Sequence, residues 1–169
     1  SQVEKLFNPV GIATLGSVPY IKEINQISPL LENDVDPSLI KDELSGNRFL
    51  CSEAFRSLAT SIRFLNLSDD LVNSILITST KPSEGKTTIT CLIAKTLADL
   101  GNKVLLIDGD MRRPSVHRFL DIDNLQGLSN LITDSKIKLE DVIFKTSIPN
   151  LEIITAGICP PDPVYLLSS

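Results

Sequence analysis

An α/β fold, a parallel sheet flanked by helices, is predicted by three apolar runs and by the segment that each of them leads into. Ser74-Ile-Leu-Ile-Thr78 leads into a small-residue turn and then a periodic helix, Lys103-Val-Leu-Leu-Ile107 ends on the acidic tip Asp108-Gly-Asp110, and Leu151-Glu-Ile-Ile-Thr155 ends on Ala156-Gly157. Short continuous apolar runs alternating with helical periodicity are how the strands of a sheet covered on both faces read in sequence. The 169 residues, 42% of them hydrophobic, suffice for one cored domain over 1–169, with 1–47 an edge strand and acidic loop and 48–169 the core.

Taken in order, Gly11 to Tyr20 is a short apolar stretch between glycines and a proline and reads as an edge strand. Glu32 to Asn47 is polar and broken by Pro37 and Gly46, so a loop is expected. Glu53 to Phe64 is amphipathic, with Phe55, Leu58, Ile62 and Leu65 on one face and Glu53, Arg56 and Arg63 elsewhere. After the Ser74–Thr78 strand, Thr88 to Leu100 carries Ile89, Leu92, Ile93, Thr96, Leu97 and Leu100 at helical spacing, and Gly101-Asn102 stops it. Short helices are expected at Gly127–Ile132 and Leu139–Ile143, a third core strand at Leu151–Thr155, and a helix start near Pro163.

Between the first strand and its helix lies Thr80-Lys81-Pro82-Ser83-Glu84-Gly85-Lys86-Thr87-Thr88. A strand that ends in a tight turn and feeds a helix aims backbone N–H groups and the helix N-terminus at one point, which suits anionic phosphate oxygens. Gly85 lets the backbone approach, Lys86 places its ammonium on phosphates, and the Thr87 hydroxyl is a magnesium ligand. The pattern Gly-x-x-x-x-Gly-Lys-Ser/Thr wants glycine at position 80, where this chain has Thr80. The fold class is therefore P-loop NTPase-like, with residues 80–88 holding the nucleotide.

At the second strand tip, Asp108 and Asp110 carry an Asp-x-Asp spacing that can do magnesium work, one carboxylate in or near the ion's shell and the other accepting a proton from a hydroxyl. Aspartates at this spacing are equally common in solvated turns. The phosphate loop and the adjacent Arg112-Arg113 favour the functional reading, because ligands of open α/β sheets sit at the carboxyl ends of strands.

Composition removes other classes. A net charge of -5 and a pI near 4.9 give no basic face for nucleic acid. Cys51, Cys91 and Cys159 are far apart and lack partnering histidines, so neither zinc nor a disulfide frame is indicated and reduced thiols are expected. The lone His117 reads as a surface or packing residue, and no apolar run reaches the ~18 residues of a membrane span.

Ile107-Asp108-Gly-Asp110-Met-Arg112-Arg113-Pro114 closely resembles the Walker A′ motif of the bacterial tyrosine kinases of capsule and exopolysaccharide export systems. The resemblance also rests on Leu15-Gly-Ser-Val-Pro19, Glu53-Ala-Phe-Arg56, Pro82 with Gly85-Lys86-Thr87, Gly127-Leu-Ser, Pro149-Asn-Leu151, Ala156-Gly157 and Pro160-Pro-Asp-Pro-Val-Tyr-Leu-Leu167. That family tolerates a residue other than glycine at position 80. The resemblance implies an ATP-dependent, autophosphorylating protein-tyrosine kinase in which Lys86 binds phosphate and Thr87 and Asp110, with Asp108 beside them, serve magnesium. Asp108 is then the group that activates a tyrosine hydroxyl. It further implies a membrane polysaccharide co-polymerase or chain-length partner, a protein tyrosine substrate, and a place in the cytoplasm at the inner face of the plasma membrane.

Three positions depart from the family pattern. Self-association in the family uses Glu-x-x-Arg-x-x-Arg, and this chain has Glu53, Arg56 and then Ala59. Its tyrosines are Tyr20 and Tyr165 alone, without a cluster. The Walker B strand is expected after the Pro-Pro-Asp-Pro segment, so a sequence ending at Ser169 is expected to lack a core strand and a magnesium ligand. Two alternatives stay open: an ATPase switch of the ParA and MinD type, with Lys81 near the place of its signature lysine, and a non-catalytic nucleotide-binding or scaffold module.

Overall fold

The structure is a computed structural model and describes residues 15–18, 42–65 and 74–168. The described residues fall into two compact units, 15–18 with 42–65 and 74–76, and 77–168, each taken by itself below.

In the first unit, helix α1 runs over Asp42–Leu65. It begins inside the stretch expected to be a loop. Once a helix is nucleated each added residue gains a backbone bond, so propagation can carry through Gly46 at a cost of about 1 kcal/mol. Cys51, Phe55, Ala59 and Ile62 are buried, a 4, 4, 3 spacing that marks one face. Glu53 and Arg56 are exposed, and Leu58 lies beside Gly16. Residues 15–18 are irregular, and the rest of the edge strand expected at 11–20 lies outside the described residues.

Ser74–Ser79 corrects the sequence reading most plainly. It forms no strand, and Leu76 is 92% exposed. A helix satisfies its backbone internally, whereas a strand exists only where another strand takes its N–H and C=O groups. Among the described residues nothing pairs with this run.

The second unit holds the sheet. Helix α2 spans Lys86–Asp99 and ends as Gly101 N–H donates to the Ala98 carbonyl and Asn102 N–H to the Leu97 carbonyl. Strand β1 is Val104–Ile107, followed by helices α3 at Val116–Phe119, α4 at Leu128–Thr133 and α5 at Leu139–Val142. Strand β2 is Phe144–Lys145, β3 is Leu151–Ile154, and helix α6 is Pro163–Ser168. The sheet order is β1-β3-β2, with β1 and β3 parallel, Val104 opposite Leu151 and Ile107 opposite Ile154. The two-residue β2 joins the other edge of β3 antiparallel, so the sheet is mixed around a parallel core.

Helix α2 packs against β1, β3 and α3, its Cys91, Leu92, Ile93, Ala94 and Ala98 are buried, and Leu106, Leu151 and Ile153 are buried in the sheet. The apolar run of β1 predicts cover on both faces. Instead Leu105 and Ile107, which alternate with Leu106, are 43% and 48% exposed, so one face of this strand is open among the described residues.

The carboxyl end of β3 is fastened to the turn before α4. Leu128 and Ser129 N–H groups donate to the Thr155 and Ala156 carbonyls, the Thr155 hydroxyl donates to Gln126 O, and the Asn124 amide exchanges two bonds with Gly157. A Cβ on Gly127 would run into the Thr155 carbonyl and the Gly157 nitrogen, so only glycine permits this approach. Gly127-Leu-Ser and Ala156-Gly157, separate in the sequence, are thus two sides of one junction. In the Pro-Pro-Asp-Pro segment the Asp162 carboxylate accepts from the Val164 and Tyr165 N–H groups, and Pro163 begins α6.

Candidate nucleotide site at the head of helix α2

Gly85 turns the loop into α2 with φ of +82°, a left-handed conformation that side chains resist. Its carbonyl accepts the Ile89 N–H at 2.9 Å, which places Lys86 and Thr87 in the first helical turn, where N–H groups have no intrahelical partner. Upstream, the Glu84 carboxylate folds back across the loop. It accepts the N–H groups of Thr80 and Lys81, each at 3.1 Å, and the Thr80 hydroxyl at 3.2 Å. Position 80 therefore contributes a hydroxyl that glycine lacks, and the substitution has a structural use. The sequence motif treats Glu84 only as a loop member, although an acid four residues after a threonine in a tight turn could have signalled it. Lys81 and Pro82 are exposed, and Ser83 has a left-handed φ of 64°. Thr88 is half-buried in the first turn of α2.

The two motifs meet. Lys86 Nζ donates to Asp110 Oδ2 at 2.7 Å, with both side chains about one-third exposed, at 33% and 32%. Partial burial pushes the Asp110 carboxyl upward. The bond from Lys86, the Arg113 N–H, the Lys86 charge and the Arg112 N–H outweigh burial and hold it below the usual carboxylate value. Thr87 Oγ lies 2.6 Å from Ser115 Oγ.

Asp108 lies deeper than Asp110. It is 5% exposed; its Oδ1 accepts the Asp110 N–H at 3.1 Å, and its Oδ2 accepts the Ser115 and Val116 N–H groups at 3.2 and 3.1 Å. Its two oxygens offer about four acceptor positions and three are taken, so one remains for the tyrosine proton or the ion expected at Asp108. Its visible task is to wrap residues 108–116 around itself and to cap α3. Its charge reaches Cys91, whose thiol is pushed up to about 12, first by burial and then by Asp108. Cys91 and Cys51 are buried, Cys159 is exposed, and all three are free. His117 is half-buried in α3 with Nδ1 unpartnered, in keeping with a packing residue.

For magnesium, the hard oxygens of Thr87 and Asp110 suit an ion that takes one or two protein oxygens and keeps its waters. Among the described residues no group of three or more histidine, cysteine, aspartate or glutamate side chains is placed to hold a metal ion. The Glu53 and Arg56 pair belongs to the other unit. No described helix is long and apolar enough to cross a membrane.

A strand-side acidic tip facing a glycine turn, a lysine and a helix N-terminus defines a nucleotide-binding domain of the P-loop class. A family profile described as "AAA domain" matches residues 72–159, and the chain belongs to that family and, within it, is similar to the bacterial tyrosine kinases. It is 40% identical over 148 residues to the putative tyrosine-protein kinase CapB of Staphylococcus aureus, covering 88% of this chain and 59% of that protein. It is 38% identical over 120 residues to the tyrosine-protein kinase YwqD of Bacillus subtilis, covering 71% and 50%. A crystal structure of the chimerical protein CapA2B2 superposes with a TM-score of 0.75 at 32% identity, covering 98% of this chain and 65% of that one. The chain thus spans about half to two-thirds of these three proteins.

Proposed function

We propose that the chain forms the ATP-binding part of a bacterial protein-tyrosine kinase that regulates capsule or exopolysaccharide synthesis and export. The observation that carries this reading is the 2.7 Å contact of Lys86 with Asp110, which joins the phosphate loop and the acidic tip at one point. The names of the related proteins, CapB and YwqD among them, supply the substrate class. Phosphoryl transfer asks little covalent chemistry of a protein and much positioning and charge stabilisation.

Each residue then has a task. Lys86 leaves Asp110 to bind β- and γ-phosphate oxygens, and the N–H groups of the first turn of α2 hold the same anion. Thr87 and Asp110 would hold magnesium, which would neutralise charge building on the transferred group. Asp108 keeps the tip in register with the loop. A tyrosine hydroxyl enters from the exposed side of Asp110, beside Arg112 and Arg113, and gives its proton to the Asp108 carboxylate as its oxygen bonds the γ-phosphorus and the bond to the β-phosphate oxygen breaks, releasing ADP. The intact protein works at the inner face of the membrane with a polysaccharide co-polymerase, and α1 contributes to self-association through Glu53 and Arg56.

The intact protein of which this chain is a part should be supplied with magnesium, ATP labelled in its γ-phosphate and a glutamate–tyrosine copolymer. Label on tyrosine is expected, falling at least ~100-fold in Lys86→Met, as when one electrostatic donor is removed from a reacting centre. ATP hydrolysis with no phosphotyrosine would overturn the reading in favour of an ATPase switch.

A further inference from the structure

We infer that Ser115 is a positioning residue for the metal ligand Thr87, holding its hydroxyl in the orientation that magnesium requires. This rests on the nucleotide reading above. Ser115 occupies the N-cap of α3, where a serine hydroxyl ordinarily accepts an N–H of the first turn. Here it makes no such bond. The buried Asp108 carboxylate has taken the Val116 N–H at the head of that helix, together with the N–H of Ser115 itself. The Ser115 hydroxyl, which makes no capping bond, lies 2.6 Å from Thr87 Oγ, across 28 residues of sequence.

The chemistry of a hydroxyl fixes what this contact does. Thr87 Oγ has one proton and two lone pairs. When a lone pair is given to a cation, the proton must point away from the ion and needs an acceptor. In the structure either hydroxyl of the pair can be the donor. With the ion in place the direction is set, Thr87 donating and Ser115 accepting. Partners outside the coordination shell orient a ligand and raise its basicity in this way, and losing one typically costs about 10- to 100-fold in metal affinity. Asp108 acts one step further back. By gripping the Ser115 N–H it fixes where the Ser115 oxygen stands.

The test separates this role from a structural one. Binding of ADP to the full chain is measured in EDTA and then as magnesium is added. In the wild type magnesium should tighten binding. Ser115→Ala keeps the backbone N–H that Asp108 needs, so binding in EDTA should match the wild type while the magnesium midpoint rises about 10-fold. Ser115→Thr, which restores a hydroxyl, should bring the midpoint most of the way back. A Ser115→Ala midpoint equal to the wild type, or a Ser115→Thr midpoint as poor as that of alanine, would overturn the inference. A wild type that binds ADP without responding to magnesium also overturns it and leaves the nucleotide site standing. Absence of ADP binding under both conditions rejects the nucleotide reading itself, and this inference with it.

Discussion

The loop at 80–87 and the tip at 108–116 face one another and are held in opposite ways. The loop is exposed, and one surface carboxylate, Glu84, closes it through bonds of 3.1 to 3.3 Å to Thr80 and Lys81. The tip is built around a buried carboxylate, Asp108, that accepts three backbone N–H groups and is continuous with the β1–β3 ladder through its own N–H to Ile154 O. Solvent competes for every bond of the first, whereas the three bonds to Asp108 are buried or part-buried. The tip is therefore the fixed template of the site, and the loop is the part that can rearrange when an anion arrives.

The harshest way to break this contrast is Asp108→Ala. It leaves three N–H groups near the core without an acceptor, and a loss of roughly 3 kcal/mol or more is expected. Urea unfolding measures it, and a loss below about 1 kcal/mol would mean the tip is no template. The matching change in the loop, Glu84→Ala, removes exposed bonds and should cost less than about 1 kcal/mol. Its readout is local: hydrogen exchange of the Thr80 and Lys81 amides should speed up while those of β1 and β3 keep their rates. Uniform acceleration across both regions would erase the distinction.

Smallest is the expected response to pH. Because the Asp110 pKa is lowered from its ordinary 3.8, the Lys86 pair contributes in full above that value and is lost only as pH falls through the lower, folded value. Carboxyl NMR of Asp110 should therefore show a midpoint below 3.8, and the pair should be indifferent to pH between about 6 and 8. A midpoint above 3.8 would place Lys86 elsewhere in solution.

Legibility in the sequence tracks the range of the forces involved. Helix α2, β1, β3 and the loop residues Gly85, Lys86 and Thr87 are local patterns of periodicity and turn chemistry, and all fall where the periodicity puts them, within two residues. The strand at Ser74–Thr78 is not local, since its apolar residues state a preference that only a neighbouring strand can realise. Asp108 and Asp110 share one motif two residues apart, and no spacing rule says which is buried. That choice is made by the Ser115 and Val116 amides, seven and eight residues on, when α3 turns back over the tip. Ser115 is in plain view as a helix-capping residue type, but its partner across the fold is not. The same holds for Glu84, whose bond to Thr80 explains the missing glycine better than tolerance does.

The 2.7 Å contact of Lys86 with Asp110 also changes what an affinity measured at this site means. An empty loop with a solvated lysine would simply fill. Here the ammonium already has an anionic partner, so a phosphate that takes it displaces a carboxylate. Binding is an exchange of one counter-ion for another, and its heat and free energy report the difference between two charge-assisted bonds rather than the worth of either. A weak apparent affinity at this lysine would measure how well Asp110 competes for it.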